Sequence, residues 1–68
     1  MTFTIIDFKA KMTVGGFNPA ETYSFIHSIA KREPDCDFRI VSENDYAEYT
    51  INNETDWDDF ADWISLYI

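Results

Sequence analysis

Five carboxylates, Glu54, Asp56, Asp58, Asp59 and Asp62, crowd into nine residues with no cation among them. Carboxylates at that density can ligate a hard cation, cap a helix, or present negative charge to a basic partner. Calcium needs several oxygens on a tightly turned loop, usually with a glycine at the sharp turn. The stretch Asn52-Asn53-Glu54-Thr55-Asp56-Trp57-Asp58-Asp59 has oxygens but no glycine, and it does not match EF-hand spacing. No metal site is expected. Acids in a first helical turn suit the positive end of the dipole, which covers Asp56, Asp58 and Asp59. Asp62 is left over, and its like-charge spacing from Asp58 costs stability. Glu33, Asp35, Asp37, Glu43, Asp45 and Glu48 also lack evident partners. Two readings stand: a solvated acidic face with no role, and a surface built to meet a basic site.

Other reactive side chains are sparse. His27 is the sole histidine; it lies at the edge of an apolar helical stripe, and no residue is placed by spacing to orient it as a base. Cys36 is the sole cysteine. It opens the apolar phase of a strand, so a buried structural thiol is expected, and Asp35 and Asp37 beside it disfavour a thiolate. Gly15-Gly16 before a helix lacks the further glycines and the Lys-Ser/Thr of a phosphate loop, and reads as a turn. No cofactor fingerprint is present, and the chain is expected to act by binding rather than by catalysis.

The charge is uneven. Of the 68 residues, 13 are acidic and 5 basic, a net charge of −8. Residues 1–32 hold Lys9, Lys11, Lys31 and Arg32 against Asp7 and Glu21; residues 33–68 hold Arg39 alone against the other eleven acids. That asymmetry predicts an acidic face and disfavours direct contact with nucleic acid or an anionic membrane. Hydrophobic content of 46% argues against disorder. One cysteine forbids an internal disulfide and fits a reducing compartment. The N-terminus lacks a basic start and a long apolar run, and no segment reaches the roughly 18 apolar residues of a membrane span. The expectation is one acidic α+β domain over residues 1–68, a whole small gene product, in the cytoplasm (the host's, if phage-encoded). So short a chain makes a small core. Twelve aromatic residues must either fill it or lie on an interface.

The elements that would position these residues follow from periodicity. Ile6, Phe8, Ala10, Met12 and Val14 alternate with Asp7, Lys9, Lys11 and Thr13, which predicts one half-buried strand, starting as early as Thr2 and ended by Gly15-Gly16. Phe3 and Ile5 fall on its other face, so its start needs a cover. Lys9 and Lys11 are expected on the exposed face, opposing acids on a neighbouring strand. Asn18-Pro19-Ala20-Glu21 is a helix start with a capping box. The apolar stripe is Ala20, Tyr23, Ile26 and Ala30, widened by Thr22, Phe25 and Ile29; Pro34 stops the helix. Cys36, Phe38 and Ile40, then Ala47, Tyr49 and Ile51, predict a hairpin about Glu43-Asn44-Asp45. Thr55 to Ile68 reads as a helix capped by Thr55, with Trp57, Phe60, Ala61, Ile64 and Ile68 inward, although Trp63–Ile68 has strand propensity. The predicted order is β-α-β-β-α: a three-stranded antiparallel sheet with two helices packed on one face.

These observations predict a small acidic inhibitor or adaptor. Carboxylates held on a rigid domain can occupy a groove lined by Lys and Arg, and their field speeds the encounter. The candidate surface is Glu54, Asp56, Asp58, Asp59 and Asp62 with Asp45 and Glu48, anchored by Trp57 and Trp63, residue types common at interfaces. In size and charge the chain resembles small phage-encoded inhibitors. In element order, with its acidic last helix, it is similar to the DinI-type modulators of the SOS response. The charge itself points to a basic, nucleic-acid-handling protein as partner, in the manner of a DNA mimic such as an anti-CRISPR or anti-restriction protein. A second reading is a self-associating accessory module whose acidity serves solubility and whose aromatics form a homodimer.

Overall fold

A computed structural model describes residues 1–68. Six elements appear: β1 (Phe3–Asp7), β2 (Met12–Phe17), α1 (Pro19–Arg32), β3 (Phe38–Ser42), β4 (Glu48–Ile51) and α2 (Trp57–Ser65). The strands form one antiparallel sheet in the order β2-β1-β3-β4. The class is α+β, with four strands where the alternation predicted three. That extra hairpin also removes the likeness in element order to the DinI-type modulators.

The correction lies between Asp7 and Met12. The expected single strand folds back as a hairpin, although its turn contains no glycine, proline or asparagine. Instead the Asp7 carboxylate accepts from the N–H groups of Lys9 and Ala10, each at 3.0 Å, a side-chain mimic of a backbone turn. Lys11 takes the left-handed position at φ 58°. An alternating pattern running through both arms concealed the reversal. Gly15-Gly16 does not end the strand but lies inside β2, where register slips between the pairs Phe3–Phe17 and Ile5–Val14. Gly16, at φ 83°, supplies the backbone freedom this bulge uses.

Cross-strand partners share a sheet face, and the register therefore sorts the side chains. Phe3, Ile5, Phe38, Ile40 and Ile51 point to the side carrying the helices and are buried there with Ile26 of α1 and Phe60 and Ile64 of α2. Phe3 and Ile5 thus receive the cover their position demanded. Thr4, Ile6, Arg39, Val41, Glu48 and Thr50 fall on the opposite face, where Arg39 lies 5.3 Å from the Phe8 ring. The aromatic surplus is largely spent indoors. Phe60 meets Tyr23, Tyr49, Trp57 and Trp63, and Phe3 meets Trp63 and Tyr67, all with ring centres 5.2–6.3 Å apart.

Local signals at α1 hold as read. Asn18 accepts from Glu21 N at 2.8 Å while the Glu21 carboxylate accepts from Asn18 N at 3.1 Å, a complete capping box with Pro19 at the first helical position. Ala20 and Phe25, expected in the stripe, are exposed. At α2 the cap is Asp56, not Thr55. Thr55 turns back instead, its hydroxyl accepting from Asn52 N at 2.7 Å. The helix ends at Ser65, followed by a turn rather than a strand, and this leaves Ile68 88% exposed.

Candidate functional site

α2 lies over the β4 side of the sheet. Two phenols tie it down: Tyr49 of β4 donates to the Asp59 carboxylate at 2.5 Å, and Tyr67 donates to Asp45, in the β3–β4 turn, at 3.3 Å. Most of the predicted acidic residues are thereby gathered along one edge. Asp45 stands at one end, Asp59 and Asp62 on the helix, and Asp56 and Glu54 at the other end. Glu48 is separated from them, because its register with Val41 places it on the helix-free face. There it pairs with Arg39 at 3.4 Å.

Each acid can be asked what the fold already uses it for. Asp7 makes the β1–β2 turn and Glu21 completes the capping box. Glu33 and Asp35, expected to be unpaired, both face Lys9, Asp35 at 2.7 Å. Lys9 therefore meets acids from the loop after α1, not from a neighbouring strand. Glu43 accepts from the hydroxyls of Thr2 and Thr4 and from Gly16 N, and those threonines hold its carboxyl below the usual range. Asp45 is held low by the Ser42 hydroxyl and the Ala47 N–H. Asp56 caps α2, accepting from Asp58 N and Asp59 N. Burial, then the Asp59 carboxylate, pushes Tyr49 up to about 12.

Asp37, Glu54, Asp58 and Asp62 remain, with no side-chain hydrogen bond or ion pair. Three of these four lie on α2 or its lead-in. The helix dipole favours Asp58, in the first turn; nothing in the fold favours Glu54 or Asp62. The three ion pairs of the chain all use Lys9 or Arg39, and none reaches α2. The candidate surface therefore contracts to Glu54, Asp58 and Asp62, flanked by Asp59, Asp56 and Asp45, whose charges stay exposed although their positions are structural.

Trp57 and Trp63 are half-buried. Trp57 packs edge-on against His27 at 5.2 Å, and Trp63 lies tilted against Tyr49 at 5.2 Å, so each shows a partner only part of its ring. His27 stacks on Tyr23 at 5.7 Å, as a packed helix residue does. Cys36 is buried, and burial followed by Asp35 raises its thiol pKa. It lines a cleft of about 270 Å³ with Asp7, Lys9, Ala10, Glu33 and Phe38. A protonated thiol beside a lysine already paired with Asp35 is a poor nucleophile. No three His, Cys, Asp or Glu side chains converge to hold a metal ion, and no helix is long and apolar enough to cross a membrane.

No protein-family model, curated protein or solved structure matches this chain.

Proposed function

We propose that the chain is a small acidic inhibitor or adaptor that works by occupancy rather than catalysis. The α2 edge sits in a basic, nucleic-acid-binding site of a partner protein, as a DNA mimic of the anti-CRISPR or anti-restriction kind would. The observation that supports this reading is the set Glu54, Asp58 and Asp62, carboxylates on one rigid helix and its lead-in that serve no cation within the chain. Their repulsion costs stability, and a cationic groove would relieve it. Hydrogen bonds from Tyr49 and Tyr67 fix the edge against the sheet, so little order has to be created on binding.

The test is competition. Proteins captured from a host lysate on the immobilised chain are challenged with duplex DNA and, separately, with rising salt. The reading expects DNA to displace them, and expects affinity to fall steeply between about 50 and 200 mM salt. Glu54→Gln, Asp58→Asn and Asp62→Asn together should abolish capture with the helix intact, because none of the three side chains holds a structural contact. Capture that resists both DNA and salt, or survives the triple variant, would refute it.

A further inference from the structure

We infer that a second copy of this chain docks on β2, joining two sheets edge to edge into one eight-stranded sheet. β2 is an outer strand, so one row of its backbone groups is unpaired. Edge strands are commonly guarded by charge. β1 carries Asp7, β3 Arg39 and the other edge, β4, Glu48, whereas β2 (Met12–Phe17) has no ionisable side chain. Its guards are the bulge at Gly15-Gly16 and the Glu43 carboxylate that accepts from Gly16 N, both at one end, which leaves Met12, Thr13 and Val14 in regular pairing with Asp7, Ile6 and Ile5.

The side chains there are apolar and uncovered. Met12 is 58% exposed and Val14 40%, both on the helix side of the sheet, and Phe25 of α1, stacked on Phe17 at 5.3 Å, is 40% exposed. A second copy suits this strip by its own symmetry. With a two-fold axis through Thr13, antiparallel pairing sets each Met12 opposite Val14 of the second copy and the two Thr13 residues opposite each other. Charge selects the same edge. Two chains of net charge −8 repel each other through the α2 edge. They approach with least penalty through an uncharged strand preceded by Lys11. A six-residue strand with Phe25 beside it buries area at the low end of specific interfaces, about 1,000 Å² in total, so the dimer is weak and concentration-dependent.

This inference does not rest on the acidic-edge reading, and salt separates the two. Screening relieves repulsion between acidic copies, so the dimer should tighten with salt while capture of a basic partner weakens. The experiment is sedimentation of the purified chain over a wide concentration range, with amide hydrogen exchange at both ends of that range. The expected mass rises from 8.0 kDa toward twice that value, with protection growing at Thr13, whose N–H alternates away from β1 toward the free edge. Met12→Lys, at the more exposed position, should hold the chain monomeric with its thermal midpoint unchanged at dilutions where the wild type is also monomeric, and Val14→Lys repeats the test if Met12→Lys loses stability there. A wild-type monomer at every concentration would overturn the inference, as would a dimer whose new protection lies away from β2. Dimerisation unaffected by either stable lysine variant would overturn it too.

Discussion

Replacing Tyr49 with Phe tests the brace between α2 and the sheet. The hydroxyl donates to Asp59 at 2.5 Å, and burial with that carboxylate raises its pKa from 10.0 to about 12. A group whose folded pKa is raised contributes stability that is fully present below its unfolded value. That contribution is lost as pH climbs from about 10 through about 12. Two pKa units correspond to roughly 2.7 kcal/mol, and partial exposure with solvent screening cuts this to about 1 kcal/mol. Tyr49→Phe should therefore cost about 1 kcal/mol at neutral pH, where the hydrogen bond is intact. The gap from wild type should close between pH 10 and 12. Denaturant titrations of both proteins at neutral pH and at points across that window measure the gap. Near-ultraviolet absorbance of tyrosinate supplies an independent reading, because the variant should lack the latest-ionising phenol. Asp59→Asn should recover only part of the shift, since burial is the larger cause. A tyrosinate curve unchanged by Tyr49→Phe, or a stability gap constant with pH, would refute the reasoning.

Other outcomes follow from the same contacts. Asn18→Ala removes half of the α1 capping box and should cost about 1 kcal/mol in denaturant unfolding. Phe60→Ala empties the centre of the aromatic cluster, fully buried at 0% exposure; a loss of about 3–5 kcal/mol should leave the chain largely unfolded by circular dichroism. Glu43, whose pKa is lowered by Thr2 and Thr4, contributes stability that is present above its unfolded pKa and lost as pH falls through its folded one. Glu43→Gln should accordingly flatten the acid limb of a thermal-midpoint profile. Gly16→Ala forces a side chain to φ 83° and should cost about 1 kcal/mol, read in the same denaturant assay.

Local chemistry made α1 and the β3–β4 hairpin legible. Asn18, Pro19 and Glu21 specify a helix start whatever surrounds them, and Phe38, Ile40, Tyr49 and Ile51 alternate against turn residues. β1 and β2 hid each other because an Asp7 side chain, rather than a glycine or proline, makes their turn. Only the pairing of both arms with known neighbours shows that Ile5 faces in while Phe8 faces out. At α2 the stripe was right as far as Ile64 but not at Ile68, which lies past the helix end and is exposed. The cap was one residue early, because Thr55 and Asp56 compete for the role and Asn52 claims the threonine. The acidic edge was visible as composition, but its division into used and unused charge was not. Glu33 and Asp35 meet Lys9 only because the turn at residues 8–11 brings that lysine beside the loop after α1. Asp59 meets Tyr49 only because α2 lies over β4.

The two sheet edges of this fold are unlike, and that difference carries both proposals. At the β4 edge, carboxylates outnumber cations and the backbone lies beside a charged helix, so a like-charged copy is repelled and a basic groove is drawn in. At the β2 edge the strand carries no ionisable side chain of its own, Glu43 reaches only its Gly15-Gly16 end, and apolar atoms stand in water. A dimer formed there would leave both acidic helices at the far ends of one continuous sheet, open to partners. Linking two sites in this way raises effective concentration without new contacts, provided the partner presents basic sites at matching separation. Met12→Lys should then weaken binding to a two-site partner far more than to a single isolated site. Asp58→Asn with Asp62→Asn should weaken both equally. Equal loss in both assays for Met12→Lys would show that the edges act separately.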